Sequence, residues 1–190
     1  MQLNVPTILT LLRIVLIPFF IVVFYLPVDW GRTAAAALFV VAAWTDWLDG
    51  FLARKLDQIS PFGAFLDPVA DKLMVAAALV LLVSDRPELL VAIPAIVIIG
   101  REIAISALRE WMAEMGSRTN VAVSMIGKIK TTVQMIAIFL LLYREPVAVF
   151  PTSVVGMVLL YVAMLLTLWS MVIYLRAAWP VLSGDQGEYR

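Results

Sequence analysis

The sequence contains no cysteine and no histidine. Without cysteine there is no disulfide framework, no thiolate metal site and no thiol nucleophile. Without histidine, a general base has to be a carboxylate, a lysine or a tyrosine, and a metal site has to be built from oxygen. Charge is scarce too: Asp, Glu, Lys and Arg make up 15% of the 190 residues, against about 25% in an ordinary soluble domain. The 14 basic and 14 acidic residues cancel, so the basic excess of a nucleic-acid binder is missing and no nucleic-acid partner is expected. What stands in place of charge is apolar, at 63% of the chain. That share is too large for a soluble core of this size and points to a membrane protein. The length suits one catalytic unit, expected over 1–180, with a polar tail over 181–190.

A helix crossing the hydrocarbon core needs about 20 mostly apolar residues. Six such segments are predicted, over about 8–26, 33–56, 64–84, 88–112, 121–143 and 152–176. The expected fold is therefore all-α, a six-transmembrane-helix bundle. Turn-forming clusters separate the segments: Pro27 to Gly31, Ser60 to Gly63, Ser84 to Pro87, Gly116 to Asn120 and Arg144 to Pro146. The opening residues lack the basic start and small-residue cleavage site of a secretory signal, so the first apolar segment is expected to be retained.

Basic residues orient the bundle. Arg54, Lys55, Arg109, Arg118, Lys128, Lys130, Arg176 and Arg190 fall on one side, whereas Arg32, Arg86 and Arg144 are spread singly over the other. Both termini are then expected on the cytoplasmic side of the membrane. Trp30, Trp44, Trp47, Trp111, Trp169 and Trp179 lie mainly near span ends, where indole rings favour the interface.

The most informative residues are four aspartates. Asp46 and Asp49 are three apart near the end of the second segment; Asp67 and Asp71 are four apart at the start of the third. Each pair shares a helix face, and the short connection makes the two helices antiparallel neighbours. All four carboxylates can then meet at one depth. Crowded anions in a low-dielectric site would protonate unless cations compensate them, and oxygen-only ligands select hard divalent ions. Two metals suit four carboxylates around a phosphate-containing ligand. Gly50, Ala53 and Gly63 lie on or beside the same faces, either for close helix packing or to leave room for a ligand.

The pattern Asp-x2-Asp-Gly-x2-Ala-Arg-x8-Gly-x3-Asp-x3-Asp runs from Asp46 through Asp49, Gly50, Ala53, Arg54, Gly63 and Asp67 to Asp71. It resembles the signature of the CDP-alcohol phosphatidyltransferases at every fixed position. The stretches Asn4 to Arg13, Gly100 to Trp111 and Gly127 to Thr131 are similar to the bacterial branch of that family that uses sn-glycerol 3-phosphate as acceptor. The resemblance implies a two-metal site of Asp46, Asp49, Asp67 and Asp71 holding Mg2+ or Mn2+, with Asp71 as general base. It implies CDP-diacylglycerol as phosphatidyl donor, with phosphatidylglycerophosphate and CMP as products. Gly50, Ala53, Arg54, Ser60, Gly63 and Thr10 would line the CDP site, although Ser60 before Pro61 also reads as a helix cap. Relatives often carry Asn where Thr7 stands here, which puts a nucleotide role for that residue in doubt. The resemblance further implies a homodimer.

A dianionic acceptor phosphate needs basic partners, and Arg101, Arg109, Arg118, Lys128 and Lys130 are the candidates. Arg101 follows an apolar run and should lie inside the bundle, with Glu102 as a partner; Arg109 shares its helical face. Arg118, Lys128 and Lys130 read equally well as topology-setting charges. The alternatives are a transferase of the same family using inositol phosphate or serine, and a divalent-cation transporter, since intramembrane carboxylates also mark ion paths.

Overall fold

Proline and serine set where several helices begin. The computed structural model describes residues 4–56, 60–115, 125–144 and 151–183. Within them, the side chains of Trp47, Asp49, Phe51 to Arg54, Leu56, Met125, Ile126, Lys128 and Val181, together with Gly50, are left undescribed. Helix α1 spans Val5–Tyr25, with Pro6 in the first turn, where its missing N–H has no intrahelical partner to lose. Helix α2 spans Gly31–Leu56. Helix α3 spans Pro61–Asp85: Ser60 caps it, its Oγ accepting the Gly63 N–H at 2.9 Å, and Pro61 occupies the first position. Helices α4 (Leu89–Glu114), α5 (Met125–Tyr143) and α6 (Thr152–Leu182) complete the set.

The expected all-α class is met by six helices close to the predicted segments. Two bounds differ. Helix α1 begins three residues earlier than predicted because Pro6 is compatible with a first turn. Helix α6 runs through Pro180 to Leu182, because near a helix end a proline removes one backbone bond and leaves little helix to disrupt. Among the described residues, three helices are long and apolar enough to cross a membrane by length and composition, namely Val5–Tyr25, Leu89–Glu114 and Thr152–Pro180, and Ile129–Tyr143 is a shorter apolar helix. Helices α2 and α3 carry the aspartates, which dilute their hydropathy.

Helix contacts close a ring in the order α1, α2, α5, α6, α4, α3, with α3 also touching α2 and α5. Small residues at the contacts let the backbones approach: Ala35, Ala36, Ala42, Ala78, Ala95 and Ala137 are all buried. At Gly156 a Cβ would stand 3.0–3.1 Å from Leu140 and Leu141 side-chain atoms, so the α5–α6 contact leaves no room for one. Phe20, Phe39, Leu79, Leu82, Ile98, Ile138 and Leu142 fill the remaining core. The outside is greasier than a soluble surface. Trp44 is 76% exposed, and Leu89, Ile96, Phe19 and Trp179 project outward as well. Meanwhile Arg13, Thr10, Lys130 and Gln134 are buried inside. Polar inside and apolar outside is the pattern of a bundle solvated by lipid.

One end of the bundle is fastened by charge. Arg32 at the start of α2 grips both carboxylate oxygens of Asp85 at the end of α3, one of them at 2.7 Å, and Arg144 reaches the same group at 3.3 Å. Arg144 adopts a left-handed φ of 58° just past α5, which costs a non-glycine residue about 1–2 kcal/mol. Arg86 donates to Ser153 Oγ at 2.7 Å, tying α3 to α6. Burial by itself raises the Asp85 carboxyl, but hydrogen bonding and Coulombic attraction from Arg32, with Arg144 and Arg86 nearby, outweigh it and hold the group below the ordinary 3.8.

Because the folded value is the lower one, this contribution is complete above the ordinary value and fades as pH falls through the depressed one. Asp85→Ala is expected to cost about 1–2 kcal/mol of stability. In detergent its Tm at pH 7 should drop, and the gap to wild type should close in strong acid. Identical melting of the two proteins at pH 7 would refute the role of the clamp.

Candidate active site

The aspartates sit toward the other end of the bundle. Asp46 lies in the second half of α2, and Asp67 and Asp71 lie in the first three turns of α3. What brings them together is Arg13 of α1. Its Nη1 donates to Asp46 Oδ1 at 2.9 Å and also to Asp71 Oδ1, while Nη2 stands 3.8 Å from Asp67 Oδ1. Arg13 is 1% exposed, whereas the carboxylates of Asp46, Asp67 and Asp71 are 38%, 40% and 43% exposed. A buried guanidinium is thus surrounded on one side by acids whose opposite faces stay open.

Thr10, one turn before Arg13, donates to the Pro6 carbonyl at 3.1 Å and approaches Asp67 Oδ1 at 3.5 Å. Thr7 Oγ1 and Ser60 Oγ are 2.9 Å apart. Gly63 sits against both: a Cβ there would lie 2.8 Å from Thr7 Oγ1 and 2.9 Å from Ser60 Oγ. The cap of α3 and the first turns of α1 are therefore one packed unit.

Behind Asp46 and Asp71 opens a cavity of about 230 Å³, bounded by α2, α3, α4 and α5 and lined also by Lys72, Glu102, Lys130, Thr131 and Gln134. Lys130 Nζ donates to Glu102 Oε1 at 2.6 Å, and Arg101 Nη1 donates to the same oxygen at 3.0 Å. Arg101 also donates to Ser170 Oγ at 2.7 Å, so the expected Arg101–Glu102 pair exists and is shared with α5 and α6. Lys72 donates to Ser106 Oγ, which itself donates to the Glu102 carbonyl at 2.6 Å. Arg101 and Arg109 both stand over the Tyr174 ring, at 5.8 and 4.7 Å, and Arg109 also bonds its hydroxyl.

Of the site residues expected from sequence, Asp46, Asp67, Asp71, Thr10, Ser60 and Gly63 are brought together where α1, α2 and α3 meet. Lys130 joins Asp46 and Asp71 on the cavity wall, and Arg101 stands behind it through Glu102. Arg109 faces Tyr174 and does not line the cavity. Asp49, Gly50, Ala53 and Arg54 belong to α2, and Lys128 to α5, with side chains outside the described set; Arg118 lies outside the described residues altogether. Sequence reasoning did not single out Arg13 or Lys72. A lone arginine in an apolar segment was the available signal for the first, and the position directly after Asp71 for the second.

The described residues also allow a test of whether a metal fits. Among them, no three acidic side chains close around a single point. The donor set is nonetheless all oxygen, each carboxylate keeps an open face, and a fourth, Asp49, follows Asp46 by three residues on α2. That chemistry fits a hard divalent cation on the open side.

Residues 3–169 match the CDP-alcohol phosphatidyltransferase family. The chain belongs to that family. Its members generally use divalent metals, in keeping with the oxygen-only donor set. The chain is also 59% identical, over 94% of its length and 96% of the relative's, to a CDP-diacylglycerol--glycerol-3-phosphate 3-phosphatidyltransferase of Shigella flexneri serotype 5b. It is 58% identical, with the same coverage, to the protein of that name from Escherichia coli K12. Family membership accounts for the intramembrane carboxylates without invoking an ion path.

The Thr7–Ser60–Gly63 contact makes a sharp expectation. Gly63→Ala should destabilise the protein by about 1–3 kcal/mol through overpacking. Adding Thr7→Ala should restore part of that loss, because it removes the nearest obstructing atom. Strictly additive losses in the double variant, measured by thermal unfolding in detergent, would show that the two residues do not press on each other.

Proposed function

We propose that this chain transfers the phosphatidyl group of CDP-diacylglycerol to sn-glycerol 3-phosphate, giving phosphatidylglycerophosphate and CMP. The observation that carries this reading is the single cavity shared by Asp46 and Asp71 on one wall and Lys130 on another, with Arg101 behind it. A carboxylate that accepts a proton and a cation that receives a phosphate thus face the same space. The identity of this chain to transferases named for that donor and acceptor supports the choice of substrates.

In this reading Asp46, Asp49, Asp67 and Asp71 hold two divalent cations, Mg2+ or Mn2+. When bound, these ions would neutralise the donor's diphosphate and charge developing on the leaving group. Asp71 is the general base. It takes the proton from the acceptor's 1-hydroxyl as that oxygen bonds to the phosphatidyl phosphorus and the phosphorus–oxygen bond to CMP breaks. Thr10, Gly50, Ala53, Arg54, Ser60 and Gly63 line the CDP end. Arg101, Arg109, Arg118, Lys128 and Lys130 supply the positive charge for the acceptor's phosphate, with Lys130 and Arg101 nearest the cavity. Glu102 shields both cations until a dianion replaces it as their partner.

The six helices would all cross the bilayer within one unit over 1–180, with the aspartate end and both termini on the cytoplasmic side, as the basic residues of that end favour. The protein would act as a homodimer, which crosslinking in membranes should trap as a two-chain species.

The test is an acceptor panel with purified protein, CDP-diacylglycerol and Mg2+ or Mn2+. CMP release is expected with sn-glycerol 3-phosphate and not with serine or inositol phosphate, and chelation should abolish it. Asp71→Asn should lower kcat by at least about a hundredfold. Lys130→Met should raise KM for the acceptor by about tenfold or more. Full turnover by Asp71→Asn would overturn the base assignment, and product only from another alcohol would overturn the acceptor.

A further inference from the structure

Arg13 combines near-complete burial with contact to three carboxylates that remain open on their far sides. Its guanidinium brings one positive charge to the cluster. It is carried by α1, which contributes no acid to the cluster. Removing a buried arginine from such a group leaves the carboxylates uncompensated, so one face of the cluster is committed to this residue. Three described carboxylates meet this guanidinium; with the charge of Asp49 added from the sequence, four negative charges stand against one positive, leaving three net negative charges. Two divalent ions exceed that by one positive charge; without Arg13 they would only neutralise the site.

We propose that Arg13 is a built-in counter-cation of the aspartate cluster. It is a positioning residue that fixes Asp46 and Asp71 against α1, weakens the cluster's hold on free divalent ions, and leaves the ion-loaded site net positive toward a diphosphate. The inference rests on reading the cluster as a two-ion site. It assigns to α1 an electrostatic role beyond packing: metal affinity is given up so that anion affinity is gained. A merely structural arginine would not divide the two affinities in opposite directions.

The experiment titrates Mn2+ into full-length protein in detergent at pH 8, without substrate, reading free Mn2+ by electron paramagnetic resonance. CDP binding to the Mn2+-loaded protein is then measured by calorimetry. Arg13→Met is expected to bind Mn2+ at least about tenfold tighter than wild type and CDP correspondingly weaker, since a cation within ion-pair distance has been removed. Arg13→Lys, which keeps the charge but not the two-nitrogen fork, should tighten Mn2+ by only about threefold. Equal or weaker Mn2+ binding by a folded Arg13→Met protein overturns the proposal. If that variant does not fold, Arg13→Lys decides: tighter binding supports the proposal, and equal or weaker binding overturns it. Asp67→Asn should lose Mn2+ affinity and so locate the ions. Wild-type protein that binds no Mn2+ would sink the two-ion reading and this inference together. Wild-type binding with no change in Arg13→Met would sink this inference alone.

Discussion

Charge buried in an apolar bundle has to be paired, and most of the polar architecture of this protein follows from that constraint. An isolated ion at the centre of a membrane helix costs a few kcal/mol on the most lenient scale. Here several inward-facing charges are each answered by another from a different helix. Arg13 of α1 meets acids from α2 and α3, Glu102 of α4 meets Lys130 of α5, and Asp85 of α3 meets Arg32 of α2. These pairs cross helix boundaries, so they fix which helices are neighbours as well as neutralising charge. Apolar side chains cannot do that in lipid, where one greasy surface is as acceptable as another.

The site uses the same constraint in reverse. Asp46, Asp67 and Asp71 together exceed the charge of Arg13, and Lys130 and Arg101 together exceed that of Glu102. Each half is under-compensated, in opposite senses, across one cavity. The negative half suits cations and the positive half suits an anion. Lys72, next to Asp71 on α3 but bonded to Ser106 of α4, stands where the halves meet. The imbalance gives the cavity a built-in direction along which a phosphate-bearing ligand would align.

Much of this was legible in the sequence, and what was not shares one cause. Apolar run lengths and Pro, Ser and Gly punctuation gave six helices, because those signals are local. The aspartates were legible because spacings of three and four place them on shared faces of adjacent helices. Arg13 was not, because its meaning depends on α1 packing against both α2 and α3, and no local pattern carries that. The Lys130–Glu102 pair, 28 residues apart in sequence, was hidden for the same reason. Ser60 was legible as two things at once; the structure shows it capping α3 and touching Thr7. The end of α6 lies six residues beyond the predicted 176, because the helix continues through Pro180 to Leu182.

Helix α3 carries a member of each charged assembly, Asp71 at one end and Asp85 at the other. At the rise of an α-helix these two residues are separated by about 21 Å along the axis. The clamp and the aspartates are therefore held far apart on one helix, at a distance comparable with the hydrocarbon thickness of a bilayer, about 30 Å. The clamp can therefore hold its end of the bundle together without touching the aspartates, and a ligand entering beside Asp71 need not disturb it.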